Sequence, residues 1–260
     1  MVRGLYTAYT GMANEQKRLD IISNNMANVS TYGYKKESVA NEAFKEVLTT
    51  KVRDASEAYL DRYIGNMSLG VRAGEVYTDY TQGSVIHTGN SLDIAINGKG
   101  FFKLKVKDKT GNESFKYTRN GRFTQLEDGT IVDMNGNHLV NNNNGDIVLP
   151  TTARVIRIDK DGSVFADNKY VDTVKIIDID DYNAIEKYGQ NLYTLKEPGN
   201  EKPAKFNSIM NGYIEQSNVN VVYEMVNLIT ITRAYEANQK SIWTADMMLD
   251  KAVNQVGKVN

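Results

Sequence analysis

Histidine is the side chain most often used to move protons or hold metal near neutral pH, and the 260-residue chain has two, His87 and His138. Both fall in turn-rich stretches with no second histidine or carboxylate at ligand spacing, so neither points to a metal centre. A serine–histidine–carboxylate triad would need long-range assembly, and no Gly-x-Ser-x-Gly elbow suggests one. NGKGFF (97–102) begins like a dinucleotide fingerprint, but its third glycine would fall at Lys103 and no helical pattern follows. RIDKDGSV (157–164) resembles a calcium loop. With Gly162 at the sixth position, however, the first would be Arg157 and the twelfth Asn168, where acids are needed. Asp178, Asp180 and Asp181 read as a solvated strand end. No catalytic, metal or cofactor site is expected.

The bulk composition agrees. Hydrophobic residues are 41% and charged residues 24%, which describes a globular chain long enough for one large or two modest domains. The formal net charge of -1 gives no electrostatic case for nucleic acid or an anionic membrane. Without cysteine there are no disulfides and no thiol chemistry. The first twenty residues lack a signal-peptide core, and no stretch approaches the roughly eighteen apolar residues of a membrane span. Tyrosine is abundant, at 16 against seven Phe and one Trp, and suits surfaces that become buried only on assembly.

With little chemistry to position, the elements themselves carry the information. All three prolines and 16 of the 20 glycines lie between Gly65 and Gly212, so the ends are free of breakers and the middle is full of turns. Leu5, Met12, Leu19 and Met26 recur every seven residues, and Ala8, Glu15, Ile22 and Val29 form a second row. This narrow seam predicts a helix from near Arg3 to about Asn28. Leu228, Ile231, Tyr235, Asn238, Ile242, Ala245, Leu249, Ala252 and Val256 alternate in steps of three and four. They predict a longer helix from about Val219 to Val256, capped by Ser217 or Asn218. The two seams serve either an intramolecular hairpin or contacts between subunits, and Asn238 fits both as a register-fixing polar residue.

Phe44, Val47, Leu48, Val52, Ala55, Tyr59 and Tyr63 have helical spacing and suggest a third helix. Thr49, Thr50 and Val52 favour an extended or irregular arm instead. The middle reads as β. LDIAI (92–96) alternates and turns at Asn97-Gly98, and residues 115–140 carry turns at Asn120-Gly121, Asp128-Gly129 and Asn135-Gly136. Further strands are expected at 154–158, 163–166 and 174–179. The expected fold is α+β: a coiled-coil pair from residues 1–34 and 213–260, a connecting region of 35–90 with 206–212, and a β-rich domain over 91–205.

Four stretches carry a family resemblance. SNNMANVSTYGYKKE (23–37) resembles the N-terminal signature of the bacterial flagellar rod and hook proteins. LDIAINGKGFF (92–102) is similar to the opening of their middle domain, and YTRNGRFTQLEDGTIV (117–132) to the hairpins that follow it. Residues 212–252 are similar to their C-terminal helix and its lead-in. Length near 260 and the phrase RAYEANQK point to the distal-rod branch, with proximal rod and hook as alternatives.

The resemblance implies a structural subunit and no enzyme. It implies export through the flagellar type III apparatus without a cleaved signal, then helical self-assembly in the cell envelope outside the inner membrane. Other rod and hook proteins, and surrounding rings, are the implied partners, without membrane insertion. The assembly seam would be Leu5, Met12, Leu19, Ile22, Met26 and Val29 with Leu228, Ile231, Tyr235, Asn238, Ile242, Ala245 and Leu249. Asn24, Asn25, Asn28, Thr31, Gly33 and Tyr34 would form a rigid polar elbow, and Ser217, Asn218 and Asn220 the lead-in to the last helix. A glycan-binding or carbohydrate-active β domain on a helical stalk is the alternative of a different class; it requires a cleft with paired carboxylates.

Overall fold

The computed structural model describes residues 2–50, 63–107, 111–153, 155–189, 191–196, 201–204 and 208–257. The chain forms two compact units. One comprises residues 1–26, 37–79 and 220–260, and the other residues 27–36 and 80–219.

In the first unit, α1 spans Val2–Ala27, one residue from each sequence-predicted end. The long helix α2 spans Val221–Lys251 and continues through a π-helical turn at Ala252–Val256. Its 31 residues make a rod about 46 Å long at 1.5 Å per residue. The cap is Asn220 rather than Ser217 or Asn218: its side-chain oxygen accepts from Tyr223 N at 3.1 Å. Glu224 in the first turn and Lys251 in the last oppose the helix dipole favourably.

Between the helices run β1 (Glu37–Ala43), β2 (Val47–Thr50), β3 (Tyr63–Met67) and β4 (Val71–Thr78). β1 pairs antiparallel with β4, with a register shift between Val39 and Asn41, and β2 pairs with β3. The helix suggested by Phe44, Val47, Leu48 and Tyr63 is therefore not formed at either described end. β-Branched Val47, Thr49 and Thr50 lose χ1 freedom in a helix and fit a pleated strand. Val52, Ala55 and Tyr59 lie outside the described residues. The ribbon touches α1 partway along the helix. Asn14 Nδ2 donates to Asn41 Oδ1 at 3.2 Å, and a Cβ added at Gly70 would come within 2.1 Å of Thr10 Oγ1.

The second unit is β-rich, with a 3-10 turn at Tyr182–Ala184. Its strands are β5 (Val85–His87), β6 (Ile94–Asn97), β7 (Phe101–Lys107), β8 (Glu113–Thr118), β9 (Phe123–Gln125), β10 (Ile131–Asp133), β11 (His138–Leu139) and β12 (Ile156–Ile158). There follow β13 (Ser163–Ala166), β14 (Lys169–Thr173), β15 (Ile176–Ile179), β16 (Ile185–Tyr188), β17 (Leu192–Leu195), β18 (Glu201–Pro203), β19 (Ser208–Asn211) and β20 (Tyr213–Glu215). The main sheet runs β16-β17-β8-β7-β11-β10-β9, with β15 joining β7 and β18. Smaller sheets are β12-β13-β14, β19-β6 and β20-β5.

Adjacent strand residues point to opposite faces, and β7 uses this to serve two cores. Phe102 and Leu104 enter the larger cluster with Ile94, Phe123, Ile131 and Ile147. Phe101 enters a second cluster with Tyr117, Ile177 and Tyr193. Lys103 shares the Phe101 face and is buried, paired with Glu201 at 2.9 Å, and the Tyr117 hydroxyl donates to the same carboxylate. Burial, then Glu201, pushes the Tyr117 phenol well above its usual range.

The turns at Asp128-Gly129 and Asn135-Gly136 join strands that pair, β9–β10 and β10–β11. Asn120-Gly121 is not a hairpin turn, since β8 pairs with β7 and β9 with β10. Glycine is needed there for another reason: a Cβ at Gly121 would fall 1.5 Å from Ile94 O. The backbones of two core segments meet at that point.

Candidate functional site

The polar signature divides between the units. In the first, Asn25 is 1% exposed and acts as a substitute strand. Its Nδ2 donates to Glu37 O at 2.8 Å, and Glu37 N donates to its Oδ1 at 3.0 Å. The end of α1 thereby fixes the start of β1. Asn24 is exposed at the neighbouring position.

In the second unit, Thr31 closes onto Asn28, with N donating to O at 3.1 Å and Oγ1 to Oδ1 at 3.2 Å. Gly33 has φ +69° and donates to Glu215 O at 2.9 Å. A Cβ there would stand 2.3 Å from Asn120 N, so both its handedness and its size are required. Tyr34 is fully buried with the Lys187 ammonium 4.3 Å over its ring.

The C-terminal lead-in is laced to this stretch. Asn218 Oδ1 accepts from Lys36 N at 2.8 Å, and its Nδ2 donates to Thr81 O at 3.2 Å. Ser217 Oγ accepts from Val219 N at 3.2 Å. Beneath them lies a buried ionic node that the sequence reading did not single out. Glu215 accepts from Lys35 Nζ at 2.6 Å, Gly83 N at 2.9 Å and Arg119 Nη1 at 3.2 Å. The three charged side chains are 1% (Glu215), 1% (Lys35) and 4% (Arg119) exposed. Lys35 also donates to Thr81 O at 2.7 Å and Arg119 to Gly98 O at 2.7 Å. No local signal marks it: Tyr34 and Lys35, like Ile214 and Glu215, are consecutive buried residues, whereas period-2 alternation would put each charge on the open side.

The helices present two contrasting faces. Ile22 and Ile231 are buried, and Leu5, Met12, Leu19, Met26, Val29, Leu228, Tyr235, Asn238, Ile242, Ala245 and Leu249 are half-buried. The seam residues within the helices therefore share the covered side of each, whereas Val29 lies past the end of α1, in the turn at 28–30. At its centre a Cβ on Gly11 would sit 3.1 Å from Asn238 Nδ2, so α1 and α2 approach there. On the far side of α2, opposite Ile231, lie Val222 (69% exposed), Val226, Ile229 (52%), Trp243 (63%) and Met247. On the far side of α1 lie Tyr6 (60%) and Tyr9. Sequence reasoning missed this outward stripe because Arg233, Glu236 and Lys240 interrupt it.

The histidines have local partners. His87 packs edge-on against Tyr213, and His138 Nδ1 lies 3.7 Å from Asp146, which also pairs with Lys105 at 2.9 Å. Among the described residues no group of three His, Asp or Glu is placed to hold a metal ion, and no helix is long and apolar enough to cross a membrane.

Long helices with an open apolar stripe in one unit, and a β-rich second unit laced by buried polar contacts of its own, are features of a structural subunit. The comparisons agree. Residues 5–35 match the family described as "Flagella basal body rod protein", residues 95–166 "Flagellar hook protein FlgE/F/G D1 domain", and residues 210–256 "Flagellar basal body rod FlgEFG protein C-terminal". The chain is 33% identical over 274 residues to the flagellar basal-body rod protein FlgG of Bacillus subtilis, covering 98% of this chain and 99% of that one. It is 34% identical over 266 residues to the FlgG of Agrobacterium fabrum (95% and 97%), and 31% over 260 residues to the FlgF of Caulobacter vibrioides (100% of both). The chain belongs to the flagellar basal-body rod protein family. It is a structural subunit of the rod in the flagellar basal body, and not an enzyme.

Proposed function

We propose that the chain forms the distal part of the rod, polymerising helically into a stiff tube that carries motor torque to the hook. The single observation that carries self-assembly is the outward apolar stripe of α2. Monomeric soluble proteins rarely leave large apolar patches open, and here large apolar side chains lie open on both sides of the charged triplet Arg233, Glu236 and Lys240. Burying an Ile or Met side chain contributes roughly 1.5–3 kcal/mol. A heterologous contact that does not close generates a helical filament. The seam of α1 and α2 would pair as a coiled coil within each subunit, leaving the outward stripe for neighbours. The ionic node would stiffen the second unit, and the bonds of Asn25 to Glu37 would stiffen the first.

The phrase RAYEANQK supports the distal position. The full-length similarity to a FlgF protein supports proximal rod as the second reading. Other rod and hook proteins would cap the polymer, and ring proteins would surround it. Passage through the type III export apparatus without a cleaved signal would deliver the chain outside the inner membrane.

The variant carrying Ile229→Asp and Trp243→Asp tests the assembly reading. Both sites are more than half exposed, so the isolated chain is expected to melt as the parent does. In a filament each carboxylate would be buried unpaired, which is strongly unfavourable. The expected outcome is a folded chain and a non-swimming cell; normal swimming would remove the assembly role from this face. Gold labelling of the chain in isolated basal bodies separates distal from proximal placement.

A further inference from the structure

We infer that the outward stripe of α2 is covered by the outward stripe of α1 from a second copy, registered by an ion pair between Lys17 and Glu236. This rests on the self-assembly reading above and names the partner surface within it. Tyr6, Tyr9, Ala13, Lys17 and Asp20 are all exposed and recur in steps of three and four on the side of α1 opposite buried Ile22. On α2 the exposed charges Arg233, Glu236 and Lys240 lie between the apolar groups ending at Ile229 and starting at Trp243. None of these five charged side chains has an ion-pair partner among the described residues.

The spacing makes the two stripes complementary. The order on α2 is positive, negative, positive, and reads the same in both directions. With Lys17 opposite Glu236, Asp20 falls beside Arg233 if the helices run antiparallel and beside Lys240 if they run parallel. The tyrosines then reach apolar ground either way. Tyr9 is eight residues and Tyr6 eleven residues before Lys17, which brings them to Trp243 and Met247 in the antiparallel case. In the parallel case they meet Ile229 and Val226. Both stripes face away from the covered sides of their own helices, and none of the described residues of the same chain covers them. Tyrosine against apolar side chains with flanking charge pairs is the composition of a specific interface. The charges fix register, because sliding by one turn sets Lys17 against a cation.

Charge reversal in a strain whose own copy is deleted tests the pairing. Glu236→Lys faces Lys17 with three cations, and swimming should fall to the level of the deletion strain. Adding Lys17→Glu in the same chain should restore it, because the new acid comes from the neighbouring copy. Normal swimming with Glu236→Lys alone, or no recovery in the double variant, overturns the pairing. The second result would mean that a different rod protein covers α2. All these sites are exposed, so matching circular dichroism of the purified variants is expected. If the deletion strain itself swims, the rod-subunit reading fails first, and that outcome is read before any variant.

Discussion

Glu215→Ala should destabilise the chain by about 3–5 kcal/mol, the cost of breaking a buried ion pair from one side. The carboxylate holds two cations, Lys35 and Arg119, and the Gly83 amide, all out of water. Its removal leaves both cations buried without their acid. The melting temperature should fall by roughly 6–20 °C, at about 2–4 °C per kcal/mol for a chain of this size. Glu215→Gln should be intermediate, because an amide oxygen still accepts from Gly83 N but carries no charge. Thermal melts of the purified parent and both variants order the three. Equal stability of Glu215→Ala and the parent would mean that the node is not a structural element. The node matters because it joins the signature stretch, the segment after residue 80 and the lead-in to α2 within one unit. Those are the segments through which load would pass.

Gly33→Val should be worse, and is expected to give little soluble protein. Two costs add at one position. A β-branched residue at φ +69° is strained by roughly 1–3 kcal/mol. The added Cβ also meets a backbone nitrogen at 2.3 Å, which no rotamer can relieve. Relief requires the chain to move off Asn120 and break the 2.9 Å bond from Gly33 N to Glu215 O. Gly111→Ala is the control, since Gly111 has φ +83° but nothing within 4 Å of its added Cβ. It should cost about 1 kcal/mol, read as a small shift in urea midpoint. If Gly33→Val matched Gly111→Ala, the close approach at the signature would carry no weight.

The helices were legible because their signal is long. α1 and α2 repeat an apolar side over many turns, and a few polar members such as Glu15 and Asn238 do not erase it. Short strands bounded by Asn-Gly or Asp-Gly were legible too, as in Ser163–Ala166. Phe44, Val47 and Leu48 misled because apolar residues in a ribbon exposed on both faces need not alternate. Spacing of three and four can then arise without a helix, and the β-branched residues were the better guide. Asn120-Gly121 misled for the opposite reason: the same dipeptide serves a tight turn or a close backbone approach, and only tertiary structure decides which. Asn220 displaced Ser217 and Asn218 as the cap because those two are engaged with Val219 and with Lys36 and Thr81.

The node and the outward stripe were less legible still. Lys35, Arg119 and Glu215 lie 84 and 96 residues apart along the chain, counted from Lys35 to Arg119 and from Arg119 to Glu215. Charge complementarity over such separations leaves no local pattern. The outward stripe of α2 was masked by Arg233, Glu236 and Lys240, which lower its apparent hydrophobicity where they define its register. An amphipathic reading looks for one apolar side. A helix that serves its own subunit with one side and a neighbour with the other has two, and the weaker one is lost in the average.

The most direct measurement is electron cryomicroscopy of basal bodies isolated from a strain lacking this chain, beside the same strain carrying the parent copy. The expected result is a rod that stops short and bears no hook, restored to full length by the parent copy. A complete rod with an attached hook in the absence of the chain would contradict its role as a structural subunit of that shaft.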